Sequence, residues 1–333
     1  MKLGLALPQY DYSVANEPTG VLRWETVVEY AVAAERAGYD SLWLSDHLSL
    51  SLARYGGPPE PRGLFHPIVT MAALARVVTR PRLGALVFCE ALRPASLLAK
   101  SLATVDHISG GRIDVGIGAG WYEPDYEGIG MDLPPPRERL DRLREAVLVL
   151  RGVLDGGPFT FDGRYHHVSE AVNEPSAVQR PTPPIIVGGK GDRLLAVAAE
   201  VADGWNTTWI WTVDAYRQRL AVLARACEAV GRDAATVTRS LGLYALCGED
   251  RRDLERRFER LRDLSPPGVL DGMTLEEWRR GRLVGTVDDV RDQVREWDAL
   301  GVDTLVVGVG AVPFAVTTVD DVELLAAAVR DPA

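Results

Sequence analysis

The chain has 333 residues, 47% hydrophobic and 25% charged, an ordinary composition for a soluble globular protein with a large core. Its net charge of -10 disfavours a general affinity for nucleic acid, whose phosphates need an excess of basic groups, although a local basic pocket for a small anion stays open. Cys89, Cys227 and Cys247 stand far apart with no CxxC or Cys/His spacing, so neither a disulfide framework nor a zinc site is expected, and a reducing cytoplasm is the simplest compartment.

The opening run MKLGLALPQY holds one lysine and a short apolar stretch that ends at Pro8, which fits neither a signal peptide nor a membrane span. Residues 2–7 predict a first strand, followed by a polar loop to Thr19. Val27, Val28, Ala31, Ala34 and Ala37 recur at helical spacing over 21–37, and Gly38 ends that helix. Residues 41–45 predict a second strand that delivers Asp46 and His47 to the next loop.

A Gly/Pro-rich loop over 54–67 is long enough for a lid or a substrate wall. Residues 68–78 then predict a helix, 83–88 a third strand and 94–108 a helix with proline at its first turn. The most informative stretch, DHISGGRIDVGIGAGWYEPDYEGIGM over 106–131, leaves a helix, turns, rises as a fourth strand over 112–118 and opens into a Gly-rich loop. Amphipathic helix 137–154 follows, and a hairpin over 159–168 turns around Asp162-Gly163.

The remaining strands are predicted at 185–187, 204–208, 236–246 and 302–307, with helices at 193–202, 213–230, 286–300 and 319–329. The charge-rich segment 250–264 predicts a solvated helix, and 266–283 an irregular run. Eight strands separated by helices predict a (β/α)8 TIM barrel, with an open doubly wound sheet as the competitor.

In a barrel the residues just past the strands converge on one mouth. His47 is the strongest candidate there, because imidazole titrates near neutrality and the adjacent Asp46 can fix its orientation. A histidine that merely closes the loop through a backbone carbonyl fits the same position. His66, His107, His166 and His167 are weaker, and Glu90 and Glu123 are secondary acid/base candidates that solvated surface positions would equally explain.

Gly188, Gly189 and Lys190 lie between a strand and a helix, where free N–H groups and the helix dipole can hold a phosphate. A tight turn without ligand has the same sequence. Gly116, Gly118 and Gly120 fall short of the dinucleotide fingerprint GxGxxG, and no helix is expected directly after them, so these glycines are read as clearance for a flat ring. Trp121 and Tyr122 can wall that ring or simply pack the rim, and Trp43, Trp209 and Trp211 are further candidates for an apolar pocket. Asp106 and Arg112 are expected to pair as a structural salt bridge.

The runs AERAGYDSLWLSDH, LAKSLATVDHISGGRIDVGIGAGWYEPDYEGIGMD, PPIIVGGKGDRLLAVAAEVADGWN and GTVDDVRDQVREWDALGVDTLVV together resemble the luciferase-like monooxygenase family, and GAGWYEPDY is similar to its coenzyme F420 branch. The resemblance implies one barrel domain over the whole chain, with insertions near 54–67, 158–180 and 263–284. It implies a cofactor ring across the mouth, contacted by Asp46, Ala119, Gly120 and Trp121, with a phosphate at Val187, Gly188, Gly189 and Lys190. It also implies a non-proline cis peptide behind the ring at Leu86-Val87, and a proton-handling role for His47.

Family members that oxidise glucose 6-phosphate use a catalytic glutamate where this chain has Trp121, so that substrate is not expected. The implied activity is hydride transfer between F420 and a small organic substrate, with the reacting carbons held about 3 to 3.5 Å apart. The alternatives are an FMN-dependent monooxygenase fed by a separate reductase, and a non-catalytic flavin-binding barrel. The family further implies a homodimer; no metal, nucleic-acid or membrane partner is expected.

Overall fold

A computed structural model describes residues 1–15 and 20–330. The predicted loop to Thr19 therefore lies in part outside the described residues. Eight parallel strands pair in chain order and close on themselves: β1 (Lys2–Ala6), β2 (Ser41–Leu44), β3 (Arg82–Ala85), β4 (Ile113–Gly118), β5 (Ile185–Gly188), β6 (Gly204–Thr207), β7 (Thr238–Gly248) and β8 (Thr304–Gly308). Closure is made by β8 against β1, with Lys2 opposite Thr304 and Leu5 opposite Val307. The expected TIM barrel is present and the open-sheet competitor is excluded.

The strands form because both of their faces are buried, as expected for parallel sheets covered by helices. In β1, Leu3 and Leu5, with Leu7 just past its end, join the core between barrel and helices, whereas Ala6 belongs to a second apolar cluster inside the barrel. Helices such as Trp24–Ala37 and Ala95–Ser109 lay their apolar faces on the first core, and each ends at a glycine in the left-handed region, Gly38 and Gly110. Helix Val287–Ala299 begins with a capping box between Thr286 and Asp289.

Strand three is broken at the place where the family resemblance implies a non-proline cis peptide. It pauses after Ala85 at a cis Leu86-Val87 peptide, then resumes as Phe88–Cys89 beside Ile117 and Gly118. A side chain on Gly118 would come within 2.6 Å of Val87 Cγ2, and one on Gly188 within 2.6 Å of Val87 Cγ1. Gly118, read as clearance for a ring, and Gly188, read as part of a phosphate-holding turn, thus both clear space for the protruding Val87.

β7 is the longest barrel strand. Ser240 to Tyr244 pair with β8, and Ala245 to Gly248 continue past the barrel to pair with the short strand Leu283–Thr286. The intervening segment contains the expected helix, Arg251–Leu264, and, within the run expected to be irregular, the short helix Leu275–Trp278 with a capping box between Thr274 and Glu277. Helix Arg251–Leu264 is not wholly solvated either. Leu254, Phe258, Leu261 and Arg257 are buried, and Arg257 bonds Asp253 at 2.8 Å and Asp321 at 2.6 Å.

The hairpin is formed by Phe159–Asp162 and His167–Ala171, with Glu145 accepting the N–H groups of Arg164, Tyr165 and His166 at its turn. Asp106 and Arg112 do not pair as expected. Asp106 accepts from the N–H groups of Val178 and Gln179, while Arg112 donates to the carbonyls of Ala75, Pro81 and Ser109. Their shared structural task is met by backbone partners, and the nearby ion pair is Arg82 with Asp114 at 2.8 Å. Among the described residues no helix is long and apolar enough to cross a membrane, and all three cysteines are unpaired.

Candidate functional site

A cavity of about 830 Å³ opens at the carboxyl ends of the strands, within the range of small-molecule sites. It is lined by Asp46, His47, Leu86, Val87, Ala119, Gly120, Trp121, Gly188, Gly189 and Lys190. Val187, expected with them, is not in the lining. Side chains alternate along a strand, and Val187 is fully buried in the core beneath the helices. Trp43 likewise fills the barrel interior at 2% exposure, and of the four tryptophans expected to wall the pocket only Trp121 and Trp209 face it.

The second strand ends by placing Asp46 and His47 in different surroundings. Asp46 is turned away from its neighbour, with its carboxylate bonded by Arg93 at 2.7 and 2.8 Å and by the Cys89 N–H at 2.8 Å. This pair fastens the loop after strand three to the loop after strand two. Asp46 therefore does not orient His47, contrary to expectation.

That task falls to Asp125. Its Oδ2 lies 2.5 Å from His47 Nδ1, and its Oδ1 accepts the Leu48 N–H at 2.8 Å. Asp125 is 2% exposed and sits on helix Glu123–Gly128, which opens directly after the Gly-rich loop where none was expected. Pairing fixes Nδ1 toward the carboxylate, so the other ring nitrogen, Nε2, is the one available to a ligand. Trp121 and Tyr122 meet the imidazole nearly edge-on, with centroids at 5.8 and 5.6 Å.

Two further contacts tie the rim together. Tyr122 Oη accepts the Ser51 N–H at 3.1 Å, and the Arg54 guanidinium lies 4.7 Å from the centre of the half-exposed Trp121 ring. The 54–67 loop is thus a wall of the mouth, pinned also by the bridges Leu50 to Arg62 and Tyr10 to Leu64. Behind Gly120, Tyr126 Oη donates to the Ala119 carbonyl at 2.9 Å, and burial raises the Cys89 thiol to about 11, so it stays protonated at neutral pH.

At the opposite side Gly189 adopts φ +148, donates its N–H to the Asn206 carbonyl at 2.9 Å and accepts from Trp205 Nε1 at 2.8 Å. Helix Asp192–Val201 starts just beyond, capped by no side chain at its first turn. Lys190 reaches over the Trp211 ring at 4.9 Å, and burial together with the Arg54 charge lowers its pKa. These features fit an anionic group: open helix N–H groups, a glycine turn and two converging cations.

Glu90 is 5% exposed and pairs with His166 of the hairpin at 2.9 Å; neither lines the cavity, so this couple stands outside the site. Glu123 opens the short helix and is also absent from the lining. Among the described residues no group of acidic, histidine and cysteine side chains could hold a metal ion. Reading strand ends missed Asp125 and Trp278 on the short helices 123–128 and 275–278, Tyr244 on β7, Arg282 just before the strand Leu283–Thr286, and Arg93, which braces Asp46. The one signal for Asp125 was its place in the run GAGWYEPDY.

The family described as luciferase-like monooxygenase matches residues 2–304. The chain belongs to this family. An F420-dependent hydroxymycolic acid dehydrogenase of Mycobacterium tuberculosis is 31% identical over 232 residues, which are 69% of this chain and 61% of that protein. The chain spans less than two thirds of the length of the curated relatives it matches. Among solved structures, an F420-dependent secondary alcohol dehydrogenase bound to an F420-acetone adduct superposes with a TM-score of 0.77 at 18% identity, covering 99% of both chains. The EDTA monooxygenase of Chelativorans sp. BNC1 gives the same TM-score, 0.77, at 20% identity, covering 99% of this chain and 92% of that one. Relatives and structural neighbours of the chain are named F420-dependent dehydrogenases and monooxygenases.

Proposed function

We propose that this luciferase-like protein is an F420-dependent oxidoreductase that moves a hydride between the deazaflavin and a small organic substrate. The observation that carries the reading is His47: one nitrogen is held by the buried Asp125 and the other is left for a ligand in an 830 Å³ cavity. The F420-dependent relative named above supports the choice of cofactor. The residues present fit such a group. The Gly188–Lys190 turn with the open helix end would hold its phosphate, and Val87, Ala119 and Gly120 would lie against its ring.

When bound, a deazaflavin supplies a carbon that takes or gives a hydride. The chain supplies the rest. His47 Nε2 gives or takes the substrate proton, and Asp125 holds the imidazole in orientation through Nδ1. The rim of Trp121, Tyr122 and Arg54 limits water at the reacting centre.

The monooxygenase among the structural neighbours keeps FMN as the second reading, in which a separate reductase would supply the reduced flavin. Parallel fluorescence titrations with F420 and with FMN separate the two. Tight F420 binding is expected, and FMN binding without F420 binding sinks the first reading. His47→Ala is expected to lower turnover of any substrate found by screening with F420 by about 10²–10⁴-fold, with cofactor affinity unchanged. Unchanged turnover would remove His47 from the chemistry.

A further inference from the structure

Four tyrosines crowd one side of the mouth, and three of their hydroxyls are already committed. Tyr10 Oη is paired with Ser45 Oγ, Tyr12 Oη donates to the Pro313 carbonyl at 3.0 Å, and Tyr244 Oη is sealed from solvent. Tyr55 differs. It lines the cavity, is half-buried, makes no side-chain hydrogen bond among the described residues and keeps its oxygen accessible. Its phenol raises the pKa of Tyr10, Tyr12 and Tyr244, which places the hydroxyl inward, among theirs.

The adjacent Arg54 goes the other way. Its guanidinium lies over Trp121, and its charge acts on Lys190 at the glycine turn. Tyr55 instead packs against the apolar cluster that holds Leu50, Val269, Leu270 and Phe314, all of which line the cavity.

A crossing of two glycines seats Tyr55 there. The short 3-10 helix Ala53–Tyr55 ends at Gly56, with φ +81, and Gly56 lies against Gly268, with φ +87, in the segment between β7 and the strand Leu283–Thr286. A methyl group on Gly268 would come within 2.2 Å of the Gly56 carbonyl oxygen, and one on Gly57 within 3.0 Å of Val269 Cγ2. Backbone meets backbone, and among the described residues no hydrogen bond joins the two loops. The loop after β2 is thus fitted to the far insertion by shape, which brings Tyr55 and Val269 to the same wall.

Burial raises the Tyr55 pKa and the Arg54 charge offsets this only in part, so the phenol is protonated at neutral pH. A neutral hydroxyl with free donor and acceptor capacity in an apolar wall suits an uncharged oxygen, either a carbonyl that accepts or a hydroxyl that donates.

We propose that Tyr55 is a substrate-contact residue that hydrogen-bonds a neutral carbonyl or hydroxyl oxygen, with the apolar body of the ligand against Leu50, Val269, Leu270 and Phe314. The word substrate rests on the oxidoreductase reading above; the preference of the hydroxyl for an oxygen-bearing ligand does not.

The test compares three probes, acetophenone, α-methylstyrene, in which a CH2 group replaces the oxygen, and benzoate. Binding is followed by calorimetry and ligand-observed NMR on the full chain, with and without oxidised F420. Tyr55→Phe removes only the hydroxyl, and is expected to weaken acetophenone about three- to tenfold while leaving α-methylstyrene within about twofold. A role in packing alone would move both probes together. Gly268→Ala, which lifts the loop from its seat, is expected to lose the same distinction between the two probes, and both variants should keep the wild-type circular dichroism.

A wild-type protein that binds no acetophenone, or a Tyr55→Phe protein that binds it as tightly as the wild type, overturns the assignment. So does an equal loss for acetophenone and α-methylstyrene. Benzoate bound more than about tenfold more tightly than acetophenone gives the hydroxyl to an anion and overturns the neutral class. A Gly268→Ala protein with the wild-type pattern removes the crossing from the placement of Tyr55. Failure of F420 and FMN alike to bind would defeat the oxidoreductase reading while leaving the probe result standing.

Discussion

The division of labour between two adjacent residues sets the character of the site. Asp46 and His47 are neighbours in sequence, yet one anchors Arg93 and the other meets Asp125, 78 residues further along. Asp125→Asn keeps the shape of the contact but can turn its amide N–H toward Nδ1, so the tautomer and orientation of the imidazole are no longer fixed. Turnover is expected to fall about 10²-fold or more with cofactor affinity unchanged. A purely structural Asp125 would shift thermal stability and leave turnover of the folded protein in place. The cysteines give a simpler check. Burial raises Cys89 to about 11 and Cys247 to about 12, and Cys227 is raised as well. A thiol reagent at neutral pH should modify none of them until the protein is unfolded.

At the level of elements, the barrel is held at its mouth by contacts that a one-atom change would disturb. Gly118→Ala or Gly188→Ala would press a methyl group onto Val87. A loss of about 1–3 kcal/mol is expected in denaturant unfolding, with weakened cofactor binding because Val87 lines the cavity. Helix Arg251–Leu264 is secured differently, by the buried Arg257 between Asp253 and Asp321. Arg257→Met should cost about 3 kcal/mol, the lower end for a broken buried pair, because Arg256 and Arg260 remain beside the two carboxylates.

The same cluster carries a pH dependence. Burial raises the Asp253 pKa, but the Glu249 N–H and Arg257 outweigh it, and the folded value is lowered. A lowered carboxyl stabilises the fold above its unfolded pKa of about 3.9, and that stability is lost as pH falls from there through the folded value. Acid titration monitored by circular dichroism should show the wild type losing stability below about pH 4 more steeply than Asp253→Asn.

What could be read before the fold was known follows the same physics. The eight strands were legible because parallel barrel strands are continuous apolar runs, and helix ends were marked by Gly38 and Gly110. His47 and the Gly188–Lys190 turn were legible because strand ends converge. Asp125, Tyr244, Trp278 and Arg282 were not, since their meeting depends on how a short helix and a long insertion fold back over the mouth. Val187 was misplaced for a smaller reason, a one-residue error in strand phase that turns a side chain to the opposite face.

For the whole molecule, a chain with net charge -10 carries a cavity in which Arg54, Lys190 and Arg282 find no carboxylate partner among the described residues. Affinity for an anionic cofactor should therefore fall as salt is raised, and less so for Lys190→Gln. Binding at a concentration 100-fold above Kd should stabilise the fold by about 2.7 kcal/mol. Differential scanning fluorimetry with F420 would show it as a rise in Tm that grows with ligand concentration.

The length of β7 has one more consequence. Because its outer half is paired with Leu283–Thr286, residues 249–282 leave β7 and return as its parallel neighbour, as a cassette whose two ends lie side by side. Trp278 and Arg282 stand at its exit, and Tyr244 on the strand just before its entry. Such a cassette can be exchanged between barrels without altering the closure of the eight strands or the His47–Asp125 couple. Trp278 and Arg282 travel with such a cassette whereas Tyr244, His47 and Asp125 stay with the barrel, so grafting 249–282 onto a related barrel should alter what the mouth accepts while leaving the His47–Asp125 couple untouched.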